Sequence, residues 1–250
     1  MSNKPKVIGV IPARYGSSRF PGKIIAEIAG KPMIQRVYEQ SNKSKLLDEL
    51  FVAVDDERVL KCVEGFGGKA IMTGSNHQSG TDRIAEAVKN LDDCIVVNIQ
   101  GDQPLFDPLM IDETVQPLLD DPSLQMSTLK TKIDEDDYYD SAVVKVVVDE
   151  NDNALYFSRS LIPYSRDKEE IDVYEHVGLY VYRKDFLLEI SKLPQSKLEK
   201  IEMLEQLRVL EKGYKIKVIE TKSSKIAGIS VDTPEDLVKV EKLMQDLNLS

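Results

Sequence analysis

The chain has 250 residues, enough for one large α/β domain that buries about three quarters of the surface its unfolded form exposes. Its 43 acidic and 33 basic side chains give a net charge of -10, which argues against a nucleic-acid or anionic-membrane surface and makes a local basic cluster conspicuous. Cys62 and Cys94 show neither metal-ligand spacing nor a disulfide framework, no signal-peptide pattern opens the chain and no apolar run reaches membrane length. The expectation is a soluble cytoplasmic protein with reduced thiols.

The first element is a buried strand over 7–11 (VIGVI) that runs into a loop carrying Arg14, Arg19 and Lys23 among Gly16, Ser17, Ser18 and Gly22. Small residues and fixed cations just past the carboxyl end of a central strand suit a polyphosphate, because backbone N–H groups can approach it closely. The loop is not a Walker P-loop: Gly16 and Gly22 stand one residue too far apart, and Lys23 is followed by Ile24, which has no hydroxyl for magnesium. It is not a G-x-G-x-x-G turn either. A solvated basic loop is the competing reading.

Further along, 31–44 reads as a helix with Pro32 in its first turn, 50–55 as a strand, 57–66 as a helix stopped by Gly67-Gly68, and 69–72 as a strand. Alternation at these lengths predicts a parallel sheet wound with helices, with the ligand site at the strand carboxyl ends. The polar stretch TGSNHQSGTDR (73–83) turns into a helix at Thr81. It could read a base or a sugar, or be no more than a turn and an N-cap. His77 fits no catalytic pattern there. The most apolar strand, 95–99, delivers Gln100, Gly101 and Asp102 to the same edge as the basic loop. Asp102 reads as a magnesium carboxylate, with a helix cap or an ion pair to Arg14 or Arg19 as the alternative.

A helix over 108–119, a strand over 127–130 and an acidic loop over 133–141 follow. Strands at 143–148 and 154–158, joined by acidic and Asn residues, form a hairpin, which suggests a sheet extension and a dimer surface. A strand over 177–182 puts His176 and Tyr180, four apart, on one face; Arg183 and Lys184 after it read as solvated. The stretch 198–212 reads as one strong helix with Ile201, Leu204, Leu207 and Leu210 as its inner stripe and Gly213 as its stop, leaving Glu202, Glu205 and Gln206 on another side. A strand over 214–220 precedes 228–232, where the sheet region ends. Thr233 caps the last helix, which frees Asp232 as a second candidate magnesium carboxylate.

Seven motifs in order, IPARYGSSRFPGK, HQSGTDR, NIQGDQP, ALYFSRSLIPY, EHVGLY, KIEMLEQLRVL and VDTPEDL, resemble the 3-deoxy-manno-octulosonate (KDO) cytidylyltransferases, or CMP-KDO synthetases, from residue 7 to about 244. The resemblance implies a nucleotide-diphospho-sugar transferase fold: α/β, Rossmann-like, with a mixed, mainly parallel sheet flanked by helices and a small antiparallel lobe. Residues 1–250 would form a single nucleotidyltransferase domain with a dimerisation and sugar-binding lobe around 131–185. The implied activity couples CTP to an acidic eight-carbon sugar in a homodimer, releases pyrophosphate and activates the sugar for lipopolysaccharide synthesis.

Carried over residue by residue, the resemblance puts Arg14, Ser17 and Lys23 on the CTP phosphates and Ser79, Gly80, Thr81 and Arg83 near the cytidine. It makes Asp102 and Asp232 the ligands of Mg2+, and it implies a catalytic set of Arg14, Lys23, Asp102 and Asp232. Arg19, Gln100, Arg159, His176, Tyr180, Glu205 and Gln206 would hold the sugar acid. The family usually has Glu at the position of Gln103 and commonly Lys or Arg at that of Glu175. Both departures are expected to flank the sugar pocket, which leaves KDO and its 8-amino analogue both open. The rivals are a nucleotidylyltransferase using another nucleotide or sugar, and a non-catalytic nucleotide-binding regulator.

Overall fold

A computed structural model describes residues 4–17, 19–167 and 171–247; Ser18 of the basic loop lies outside them. β1 (Lys6–Ala13) sends Val7 and Ile11 to one side and Ile8 and Val10 to the other, all buried, so both faces of its sheet must be covered. β2 (Glu27–Ile28) and β3 (Lys31–Pro32) form a small ribbon, so Lys31 and Pro32 pair with a strand where the sequence suggests helix. α1 (Met33–Ser41), β4 (Glu49–Val54), α2 (Glu57–Gly65), β5 (Ala70–Met72), α3 (Gly80–Val88) and β6 (Cys94–Asn98) continue the winding, with β1 parallel to both β4 and β6.

α4 (Pro108–Asp120) leads to β7 (Met126–Lys132), β8 (Lys145–Val148), β9 (Ala154–Ser158) and β10 (Tyr174–Arg183). β10 runs antiparallel to β6 and β7 and carries the β8–β9 hairpin, whose turn is tied by Asp149 Oδ1 accepting from the N–H groups of Asn151 and Asn153. α5 (Lys184–Ile190), α6 (Lys197–Glu202), α7 (Leu207–Glu211), β11 (Lys217–Glu220) and α8 (Pro234–Asp246) complete the chain. The main sheet runs β11-β7-β10-β6-β1-β4-β5, and four of the six pairings along that path are parallel, which is the mixed, mainly parallel α/β arrangement the resemblance implies. Helices α1, α2, α4 and α8 pack on one face; α3, α5 and α7 pack on the other.

The helix expected over 198–212 is two helices. Met203, at φ 55° and ψ 46°, is left-handed and turns the chain between α6 and α7. Glu199 and Arg208 would stand about 13 Å apart and on opposite faces of a straight helix. At the corner they form a buried bidentate pair, with Arg208 Nη2 donating to Glu199 Oε1 at 2.5 Å and Nε to Oε2 at 2.9 Å. Leu204 and Leu207 of the expected stripe are buried, but Ile201 is 66% exposed. The strands expected from 143 and 214 start later, at Lys145 and Lys217. Arg183 and Lys184 are half-buried rather than solvated: Arg183 donates to the carbonyls of Leu118, Asp121 and Leu124, and Lys184 to that of Leu91. Carbonyls left over around the end of α4 need such donors.

Candidate active site

The carboxyl ends of β1 and β6 open onto a cavity of about 270 Å³ lined by Arg14, Ser17, Arg19, Lys23, Gln100, Gly101, Asp102 and Asp232. Two backbone features shape it. Gly22 adopts φ 73°, a left-handed turn that suits glycine, and its N–H bonds to Tyr15 O at 3.0 Å, folding the basic loop back on itself. At Gly101 a Cβ would stand 2.8 Å from Ile24 Cδ1 and 3.3 Å from Pro12 O, so a side chain there would displace Ile24 and crowd the end of β1.

Lys23 is the hub. Its ammonium donates to Asp102 Oδ2 at 2.8 Å, to Asp232 Oδ1 at 2.9 Å and to Val231 O at 2.9 Å. Two carboxylates 130 positions apart in the chain therefore meet on one nitrogen. The backbone locks that meeting, with Val231 N donating to Asp102 O at 2.9 Å. Burial pulls the pKa of Lys23 down, but Asp102 and Asp232 outweigh it and hold the ammonium above its ordinary value. Arg19 Nη2 also reaches Asp232 Oδ1 at 2.9 Å, while Arg14 stands exposed at the rim.

The basic loop is anchored from below. Tyr15 N–H donates to Asp55 Oδ1 at 3.0 Å, and Asp55 Oδ2 accepts from Arg83 Nη2 at 2.9 Å. Arg83, 3% exposed, also donates to Thr73 Oγ1 and Gly74 O. The arginine expected near the cytidine is thus occupied in holding the basic loop. Ser79 is likewise engaged, accepting from Asp82 N–H in a capping box at the start of α3.

Behind the charged cavity lies a second one of about 180 Å³, sharing Pro12 and Gln100 as walls. Gly80, Thr81, Asn98, Tyr180, Tyr182, Glu205 and Gln206 line it. Burial pushes the Glu205 carboxyl above the usual range, and a hydrogen bond with Thr81 opposes that. Burial also raises Tyr180, with Glu205 adding to the effect. Gln206 Nε2 is buried without a hydrogen-bond partner, a donor left for a ligand or a water. The corner at Met203 delivers Glu205 and Gln206 here.

His176 and Arg159 are not on either wall. His176 Nε2 bonds Thr128 Oγ1 at 2.9 Å, its ring sits 5.3 Å from that of Tyr180 and edge-on to Phe157, and burial drives its pKa down to about 3. It backs Tyr180 as a neutral ring, on the shared face that the sequence spacing suggested. Arg159 bonds Glu202 O and Ser141 O, both at 2.8 Å, and so ties β9 to the end of α6. Gln103 and Glu175, expected beside the sugar pocket, line a third cavity of about 340 Å³ with Met110, His176, Val177 and Lys225. Met110 and Val177 pack on the opposite sheet face from Tyr180 and Tyr182. Sequence reasoning missed Asp55; the signal was a carboxylate at the carboxyl end of the FVAV strand. It also missed Asn98 and Tyr182, which read as plain strand residues.

No group of three or more His, Cys, Asp or Glu side chains able to hold a metal occurs among the described residues. Asp102 and Asp232 nevertheless suit magnesium, which usually takes one or two carboxylates and completes its shell with water and substrate phosphates. Their shared grip on the Lys23 ammonium shows that both can serve one small cation.

Fold and site belong to a known class: the cytidylyltransferase family model matches residues 8–218. A solved structure described as CMP:2-keto-3-deoxy-manno-octonic acid synthetase complexed with CTP superposes with a TM-score of 0.92 at 46% identity, covering 97% of this chain and 99% of that one. The 3-deoxy-manno-octulosonate cytidylyltransferase of Geotalea daltonii is 51% identical over 96% of this chain and 99% of its own, and that of Geobacter metallireducens 52% identical over 95% and 98%. The chain belongs to the 3-deoxy-manno-octulosonate cytidylyltransferase family. A 4-diphosphocytidyl-2C-methyl-D-erythritol synthase from Anaerococcus prevotii, at 16% identity and a TM-score of 0.64, shares the fold.

Proposed function

We propose that this protein couples CTP to the anomeric hydroxyl of KDO, giving CMP-KDO and pyrophosphate and so activating the sugar for lipopolysaccharide synthesis. The observation that carries the reading is the convergence of Lys23, Asp102 and Asp232 in a cationic cavity that shares Gln100 with one lined by hydroxyls, amides and a single carboxyl. CTP places its phosphates over Arg14, Ser17 and Lys23, and the sugar sits toward Gln100, Tyr180, Glu205 and Gln206. The anomeric oxygen attacks the α-phosphorus in line: the new O–P bond forms, the bond to the pyrophosphate oxygen breaks, and the hydroxyl proton leaves to solvent. Such a substitution asks mainly for positioning and charge neutralisation, which Arg14 and Lys23 supply to the leaving group. Asp102 and Asp232 would hold Mg2+, which when bound supplies charge to the α-phosphate and acidifies the attacking hydroxyl.

Arg19, beside Asp232 at the mouth, is assigned to the sugar carboxylate. His176 and Arg159 shape the pocket through Tyr180 and Glu202. Gln103 and Glu175 line a different cavity from the one that Tyr180, Glu205 and Gln206 line, and KDO is the sugar we assign. No described helix is long and apolar enough to cross a membrane, and both cysteines are free, in keeping with a cytoplasmic enzyme. A homodimer would use the β8–β9 side, where Leu155 is 62% exposed; light scattering tests that.

Pyrophosphate release, assayed with each of four NTPs against KDO and 8-amino-KDO, is expected only with CTP, best with KDO, and to stop on chelation and resume with Mg2+. Preference for 8-amino-KDO would reassign the sugar. Nucleotide binding without turnover would make the protein a regulator.

A further inference from the structure

The Lys23 ammonium has three N–H bonds, and each has an acceptor: Asp102 Oδ2, Asp232 Oδ1 and Val231 O. Arg19 Nη2 adds a second cation to the same Asp232 oxygen at 2.9 Å. Two carboxylates and two cations balance, so this corner of the cavity is already neutral. A divalent ion held by Asp102 and Asp232 would meet the Lys23 ammonium and the Arg19 guanidinium, two like charges already bonded to those carboxylates. A triphosphate changes that balance, because its oxygens accept from the same lysine and arginine and draw them off the carboxylates.

We propose that Lys23 is a resident counter-ion of the carboxylate pair: it competes with the divalent metal until the nucleotide's phosphates relocate it, so that metal and CTP bind as a coupled pair. The inference rests on the reading of Asp102 and Asp232 as the metal carboxylates. It gives Lys23 two alternating partners, and it makes the lysine the reason the protein resists metal without nucleotide. Because coupling between two ligands is reciprocal, the factor by which nucleotide improves metal affinity is also the factor by which metal improves nucleotide affinity.

The test is Mn2+ binding, followed by the spectroscopic signal of the free ion and by calorimetry, with and without α,β-methylene-CTP. Wild type, Lys23→Met, Lys23→Gln, Arg19→Gln and Lys23→Met/Asp102→Asn are compared, and thermal melts establish that each is folded. Without nucleotide, both Lys23 variants are expected to bind Mn2+ at least tenfold more tightly than wild type. Arg19→Gln should tighten binding only about two- to threefold, because Lys23 still holds both carboxylates once the guanidinium is gone. The double variant should lose the gain, and the analogue should improve Mn2+ affinity less in the Lys23 variants than in wild type. Equal Mn2+ affinity in folded wild type and Lys23 variants overturns the proposal. In that case Asp102-dependent Mn2+ binding with the analogue would still uphold the metal reading, whereas no Asp102-dependent binding in any of the proteins sinks both.

Discussion

The two adjoining cavities are built on different physics. The outer one is an arrangement of full charges, Lys23 and Arg19 against Asp102 and Asp232, partly open to solvent. The inner one carries one half-buried carboxyl, Glu205, among two tyrosines and amides. Charge at the outer cavity can be traded between partners as substrates arrive, so it suits a step in which negative charge moves. The inner cavity has nothing to trade; it discriminates by shape and by whether each polar group is matched. Removing a group should therefore cost turnover on one side of Gln100 and recognition on the other.

The largest effect expected is from Asp102→Asn, which keeps the shape of the outer cavity and removes its charge. Turnover should fall by about three orders of magnitude or more with the fold retained, as pyrophosphate release and a thermal melt would read. Near-normal rates would remove the distinction between the cavities. Next comes Arg83→Ala, which strands Asp55, a partner only 13% exposed; the cost should be about 3–5 kcal/mol of stability by denaturant titration. Arg83→Lys should recover part of that stability but raise the KM for CTP, because Tyr15 and the loop above it are set by the forked contact.

Gln206→Ala should be milder and confined to the sugar: about ten- to a hundredfold in kcat/KM for KDO, with the KM for CTP unchanged. A matching loss for CTP would mean that the cavities are one. The smallest effect concerns His176. Its pKa lies near 3 in the fold against an ordinary 6.5, so the unfolded chain takes up the proton first. The stability this residue contributes is whole above about pH 6.5 and is lost as pH falls toward 3, at up to about 1.4 kcal/mol per pH unit. His176→Gln removes that slope. The stability gap between wild type and variant should narrow by about 2 kcal/mol between pH 7 and pH 4.5, with Glu175 and Glu205 present in both proteins.

The outer cavity was legible in the sequence because each part sits in a short motif at a strand end: the basic loop after β1, Asp102 after β6, and Asp232 freed by the Thr233 cap. The inner one is reached only through the family resemblance, which supplies Gly80, Thr81, Gln100, Tyr180, Glu205 and Gln206; its walls come from separated strands and helices whose residues look ordinary alone. Arg83 reads as a base or sugar contact, or as part of a turn and N-cap, until Asp55, 28 positions away, is brought beneath it. The apolar spacing of 201, 204, 207 and 210 fits a helix, and periodicity does not register a single left-handed residue. His176 was placed correctly on the face of Tyr180, yet its loss of charge depends on Phe157 and Thr128, which pattern reading does not bring near it.

Met203 carries an implication for how such an enzyme diversifies. Its side chain is 75% exposed and its backbone sets the direction in which residues 205 and 206 leave the corner. Lengthening or shortening the turn by one residue would rotate that pair by about 100° if the helical path continued, exchanging part of the inner cavity's wall while Lys23, Asp102 and Asp232 stay where they are. Relatives that share the reaction but accept a different sugar are therefore most economically sought among changes at this bend.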